Sequence, residues 1–108
     1  VAINPGTPVE AVAELGGVAD MILAMTVNPG WGGQPFIPTS PDKVRRLRSL
    51  MGPETLIEVD GGIGAGNAGT MSAAGTSLLV AGSAVFGADD PAQAFRDITA
   101  AAEAGSRD

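Results

Sequence analysis

Residues 21–36 read MILAMTVNPGWGGQPF, and the junction inside this stretch decides the fold. Met21 to Val27 is a continuous apolar run. Such a run suits a strand covered on both faces, as in parallel sheets. Three glycines and two prolines then crowd into residues 28–36. A segment so poor in side chains builds no core. It follows a strand, and loops at the carboxyl ends of strands carry function in parallel α/β folds.

Strand-like runs and capped helix-like segments alternate on both sides of this stretch. Val1 to Gly6 reads as the tail of a strand. Thr7 to Glu10, TPVE, reads as a capping box with proline at the first helical position. Val9, Val12 and Ala13 then give an apolar face, and Gly16-Gly17 stops the helix. Downstream, Ser40-Pro41 opens a helix with Val44, Leu47 and Met51 inward, ended by Gly52. Leu56 to Asp60, LIEVD, is a strand. Ala68, Met71 and Ala74 form the face of a further helix, which Gly66 and Gly69 each weaken by about 1 kcal/mol relative to Ala. Ser77 to Gly82, SLLVAG, is another strand. Asp90-Pro91 with Gln93 opens a last helix carrying Phe95, Ile98 and Ala102 inward, with fraying from Gly105. Alternation of this kind predicts an α/β fold with a parallel sheet. It fits a doubly wound open sheet or a stretch of a (β/α)₈ barrel.

The 108 residues suffice for one small domain, residues 1–108. Twelve acidic against six basic residues give a net charge of -6, which argues against nucleic acid as a partner. There is no Cys and no His, so the chain has neither a thiolate nor an imidazole for a metal or a proton. No apolar run approaches the ~18 residues of a membrane span, and no signal-peptide pattern opens the chain. The expectation is a soluble, cytoplasmic protein. Val at position 1 and the strand tail that begins there suggest an incomplete chain.

Three predicted strand ends are unusual: NPGWGG at 28–33, Asp60-Gly61-Gly62, and Gly82-Ser83. Glycine lets backbone N–H groups approach an anion with no Cβ in the way. Glycine loops on two successive strands, the second running into SAVF as a short helical turn, would cradle a phosphate. The NPGWGG loop would then be a flap whose Trp31 excludes water on closing. Any one glycine pair is commonly just a tight turn; three at three consecutive strand ends point to a site. By strand alternation Leu56, Glu58 and Asp60 share a face. Asp60 is then a base or metal ligand, or simply the cap of the following turn. Glu58, lower on that face, reads as structural and in need of a hydrogen-bond partner. Lys43, Arg45, Arg46 and Arg48 read as the solvated face of a helix. Met25 and Met71 read as core, with Met25 near enough to a strand end to line a pocket.

Taken in order, NPGTP, MTVNPGWGGQ-F, IEVDGGI, N-A, AAG and VAGSAVFGADD resemble the ribulose-phosphate 3-epimerase family. The resemblance covers nearly the whole chain but only the second half of the family pattern. It implies a carboxyl-terminal piece of a (β/α)₈ TIM barrel, from the end of the fifth strand through the eighth helix. It further implies interconversion of D-ribulose 5-phosphate and D-xylulose 5-phosphate in the pentose phosphate pathway, by proton transfer at C3 between two carboxylates. One divalent metal ion (Zn, Fe, Mn or Co) would stabilise the enediolate between them. Asp60 matches the second acid/base aspartate and a metal ligand. Gly30, Trp31, Gly32 and Gly33 match the mobile substrate loop. Asp60, Gly61, Gly62, Gly82 and Ser83 match substrate- and phosphate-binding segments, and Met25 a pocket-lining methionine. The other aspartates and the histidines of the family's site have no counterpart here, so the piece alone should be inactive. It should need the amino-terminal half, and form a homo-oligomer when complete. The related allulose 6-phosphate 3-epimerases share this pattern. A non-catalytic phosphate-binding half-barrel subunit is the reading from a different class.

Overall fold

Strands β1 (Ala2–Ile3), β2 (Met21–Met25), β3 (Leu56–Asp60) and β4 (Leu78–Val80) lie parallel in one sheet, in the order β1-β2-β3-β4. The computed structural model describes residues 1–28, 30 and 34–106. A 3₁₀ segment (Val9–Leu15) follows β1. Helices α1 (Ser40–Met51), α2 (Ala68–Ala74), α3 (Ser83–Phe86) and α4 (Pro91–Ser106) complete the alternation.

The sheet order separates the two architectures left open by the pattern. A doubly wound sheet reverses direction and covers both faces with helices. Here the order follows the chain without reversal, and one face is covered. Ile3, Ile22, Ala24, Ile57 and Val59 join Val44, Leu47, Met51, Ala68, Met71, Ala74 and Ile98 in one core cluster. The other face carries Leu23, Met25, Glu58 and Asp60, partly exposed, with Leu56 at 45%, Leu78 at 43% and Val80 at 38% exposure. Successive (β/α) units with helices on one side are the arrangement of an arc of a (β/α)₈ barrel. The continuous run of β2 thus has one face against helices and one open.

The helices follow their apolar spacing closely. Val44, Leu47 and Met51 of α1 are buried, and Gly52 ends it with φ 81°. Ala68, Met71 and Ala74 of α2 are buried. Asp90 caps α4, its Oδ1 accepting from Gln93 N at 3.1 Å. The glycine of α2 has a packing role, because α2 and α4 cross in close contact. A Cβ on Gly69 would lie 3.0 Å from Ala101 O, and one on Gly105 only 2.0 Å from Gly69 O.

Readings of the first and last helical segments need correction. Residues 9–15 form a 3₁₀ segment without a side-chain cap bond; Thr7 Oγ1 instead accepts from Asn4 N at 3.3 Å, closing the preceding turn. Ala13 is exposed while Val9 and Val12 are buried, because three residues per turn shift the stripe. Phe95 is 62% exposed, lining an open recess with Leu79, Val85 and Ile98. Gly105 is buried and still helical.

The basic run of α1 is only partly a solvated face. The Arg48 guanidinium bonds Gly52 O at 2.9 Å, Gly75 O at 2.7 Å, Ser77 Oγ at 3.1 Å, and Thr55 O. It ties the ends of α1 and α2 to the starts of β3 and β4. Lys43 Nζ donates to Asn4 O at 2.8 Å and Pro5 O at 3.0 Å. Desolvation, and secondarily the nearby Arg46, lower its pKa from the ordinary lysine value. Arg46 pairs with Glu10 and Arg45 with Asp42, both at the surface, where such pairs contribute little.

Candidate active site

Asp60 ends β3. Ile57 and Val59 point into the helices, so Leu56, Glu58 and Asp60 share the open face. In register, Asp60 stands between Met25 of β2 and Val80 of β4. One row lower, Glu58 stands between Leu23 and Leu78; it is half-buried rather than enclosed. Asp60 is therefore a carboxylate at the carboxyl edge of the open sheet face, which carries Glu58 one row below among apolar residues, with Met25 as its neighbour on β2.

The loop leaving β2 is closed at its neck and seated on the end of β3. Ile37 N donates to Thr26 O at 2.9 Å, and Gln34 Nε2 to Asn28 O at 2.6 Å. Thr26 N donates to Asp60 O at 2.9 Å, and Thr26 Oγ1 donates to Gly61 O. The two legs of the loop lie directly over the glycine pair. Gly61 has φ 126°, and a Cβ there would come within 2.6 Å of Val27 Cγ2. Gly62 has φ 70°, and its Cβ would come within 2.7 Å of Phe36 N. Both positions demand glycine on conformation and on space.

On the other side, Asn67 braces the same turn. Its Nδ2 donates to Gly62 O at 2.9 Å, and its Oδ1 accepts from Gly64 N at 2.9 Å. A Cβ on Gly64 would touch Ala84 Cβ at 3.5 Å, so the turn after β3 adjoins the first turn of α3. Asp60-Gly61-Gly62 and Gly82-Ser83 thus end neighbouring strands, and the turns that follow them touch. Gly82 differs from the other pair. Its φ is -102°, and nothing lies within 4 Å of a Cβ built on it. No chain atom requires glycine there. Gly30 is an exposed turn residue with φ 145°. Trp31, Gly32 and Gly33 lie outside the described residues.

Two residues that position the site escaped the sequence reading, Thr26 and Asn67. Each leaves a signal. Thr26 is a polar residue inside an apolar run, and it is buried. Asn67 immediately precedes a helix, where asparagine is a favoured cap; here its side chain braces the turn instead.

The described residues do not make a metal site by themselves. Among the described residues no group of three or more His, Cys, Asp or Glu could hold an ion. Asp60 offers one hard oxygen donor, fewer than a divalent cation requires. Also among the described residues, no helix is long and apolar enough to cross a membrane.

Comparison with known proteins agrees with this geometry. The sequence profile described as the Ribulose-phosphate 3 epimerase family matches residues 1–86. The chain is 47% identical over 103 residues, 93% of its length, to the chloroplastic ribulose-5-phosphate-3-epimerase of Arabidopsis thaliana, covering 37% of that protein. It is 51% identical over 87 residues, 80% of its length, to the ribulose-phosphate 3-epimerase of Rhodobacter capsulatus, covering 38% of it. It is 43% identical over 109 aligned residues, 98% of its length, to that of Mycobacterium tuberculosis, covering 48% of it. The chain therefore spans less than half the length of these relatives. An open parallel arc, an aspartate at its carboxyl edge, a glycine pair beneath a closed loop and a matching profile together lead to one conclusion: the chain belongs to the ribulose-phosphate 3-epimerase family.

Proposed function

We propose that this chain supplies one side of a ribulose-phosphate 3-epimerase active site, in which Asp60 exchanges a proton with C3 of D-ribulose 5-phosphate or D-xylulose 5-phosphate. The observation that carries the reading is the position of Asp60 at the carboxyl edge of the open sheet face, between Met25 and Val80. A C3 proton lies next to a carbonyl, so its removal needs a base on one face, and inversion needs an acid on the other. Asp60 serves one of these faces. Gly61-Gly62 and Gly82-Ser83 bind the phosphate end through backbone N–H groups, and the segment 26–37, whose sequence includes Trp31, shields the reacting carbon from water. Where a divalent metal takes part, Asp60 contributes one oxygen ligand and the other ligands come from outside this chain.

The names of the matching relatives favour the pentose phosphates over allulose 6-phosphate. Compartment follows the same logic. Relatives carry both chloroplastic and cytoplasmic descriptions, and a cytoplasmic place with a homo-oligomeric assembly belongs to this proposal.

The test is a full-length chimera in which this chain replaces the matching segment of a relative. The chimera is expected to epimerise ribulose 5-phosphate. Asp60→Asn is expected to lower turnover by about 10²-fold or more, the scale of a positioned acid/base. Near-normal turnover in that variant would remove Asp60 from the chemistry.

A further inference from the structure

We infer that Thr26 and Asn67 are positioning residues that fix the two peptide planes through which the glycine pair binds a phosphate monoester. The inference rests on the phosphate role of Gly61-Gly62 proposed above, and on a conflict within that role. Glycine admits an anion close to the backbone, but it also leaves the flanking peptide planes free to rotate. A pair at φ 126° and 70° has no Cβ to restrain either plane. A freely rotating amide is a poor anion site, because its orientation must be fixed on each binding event.

Two side chains supply the missing restraint, one per plane. Thr26 Oγ1 donates to Gly61 O, which sets the Gly61–Gly62 plane. Asn67 Nδ2 donates to Gly62 O at 2.9 Å, which sets the Gly62–Ile63 plane. In a trans peptide the C=O and N–H point in opposite directions. Holding the two carbonyls therefore aims the N–H groups of Gly62 and Ile63 away from their respective clamps. Both clamps are themselves constrained. The Thr26 hydroxyl is buried, so water does not compete for it, and Thr26 N is already held by Asp60 O. The Asn67 amide has only one useful orientation, because Oδ1 must face the Gly64 N–H. Thr26 also begins the loop whose legs cover the glycines. Loop neck, glycine pair and Asp60 are thus held as one unit.

The test uses the full-length chimera and inorganic phosphate as the probe, read by the ¹⁵N–¹H resonances of Gly62 and Ile63 and by competitive inhibition of epimerisation. Thr26→Val keeps the shape and loses the donor; Thr26→Ser keeps the donor. Asn67→Ser places a residue suited to a helix start whose side chain is too short to reach Gly62 O. Thr26→Val and Asn67→Ser are each expected to weaken phosphate about tenfold, equivalent to about 1.4 kcal/mol, with the two amide shifts lost. Thr26→Ser is expected to restore affinity to within about twofold, equivalent to about 0.4 kcal/mol. A residue that only supported the fold would lower the melting temperature in these variants and leave phosphate inhibition unchanged. That result in Thr26→Val and Asn67→Ser would overturn the inference while the role of Asp60 stands. Should Thr26→Val not fold, Asn67→Ser alone decides. If phosphate moves neither amide in the unsubstituted chimera, the glycine pair is not a phosphate site and the inference falls with it.

Discussion

Gly82 and the Gly61-Gly62 pair are glycines for different reasons, and substitution separates them. Alanine at Gly62 would need φ 70° and would press its Cβ to 2.7 Å from Phe36 N. Gly62→Ala is therefore expected to cost about 1–3 kcal/mol or more of stability, measurable by denaturant unfolding. Gly82 has ordinary φ and open space around it. Gly82→Val should leave the melting temperature nearly unchanged and abolish phosphate binding, because only a ligand needs that space. A large loss of stability, or unaltered binding, would contradict this. The places of Asp60, Gly61, Gly62 and Gly82 at strand ends were legible in the sequence because strand alternation and strand ends are local patterns. Thr26, Asn67 and Arg48 were not, because their partners are carbonyl groups set by the fold. Arg48 meets Gly75 O across 27 residues of sequence; nothing in a run of basic residues on one helix announces that acceptor.

At the scale of elements, the strands and helices followed from period and punctuation, while packing decided the exceptions. Ala68, Met71 and Ala74 marked the buried face of α2 correctly, but the glycines among them were read only as a helix penalty. Gly69 and Gly105 let α2 and α4 approach so closely that backbone meets backbone. Gly105→Ala should force the helices apart and cost about 1–3 kcal/mol, the range for overpacking. Gly66 has open space and no left-handed backbone requirement. Gly66→Ala is expected to stabilise by about 0.4–1 kcal/mol through the unfolded chain. Urea unfolding of the two variants in one background checks both signs. Phe95 shows the opposite limit of periodic reasoning. Its spacing to Ile98 and Ala102 is right for a buried stripe, yet Phe95 is exposed and lines a recess of about 260 Å³ together with Leu79 and Val85.

At the scale of the molecule, the covered face is a complete core and the opposite face is an unfinished one. Leu56, Leu78 and Val80 are each more than a third exposed on one side of the sheet, and β1 and β4 are its edges. A face of that kind with unpaired edges favours association. The 108-residue chain by itself should sediment as dimers or larger species whose proportion rises with concentration. A monomer with a sharp, concentration-independent melt would contradict that. By itself it should also fail to interconvert the two pentose phosphates with Zn²⁺ or Fe²⁺ supplied, because the role proposed for Asp60 accounts for only one face of C3 and the chain has no histidine. The parallel sheet was implicit in the alternation of the sequence. The choice between open sheet and barrel arc needed the strand order and the one-sided helix cover, which no single segment encodes.

The central claim is that Asp60 handles the proton on one face of C3, and isotope exchange tests it directly. The full-length chimera carrying Asp60→Asn, with its metal content measured alongside, is incubated with each pentose phosphate in D₂O. The acid/base on the opposite face is intact, so one epimer is expected to exchange its C3 proton for deuterium and the other is not, with no interconversion. Equal exchange of both epimers, with interconversion near the unsubstituted rate, would contradict the account.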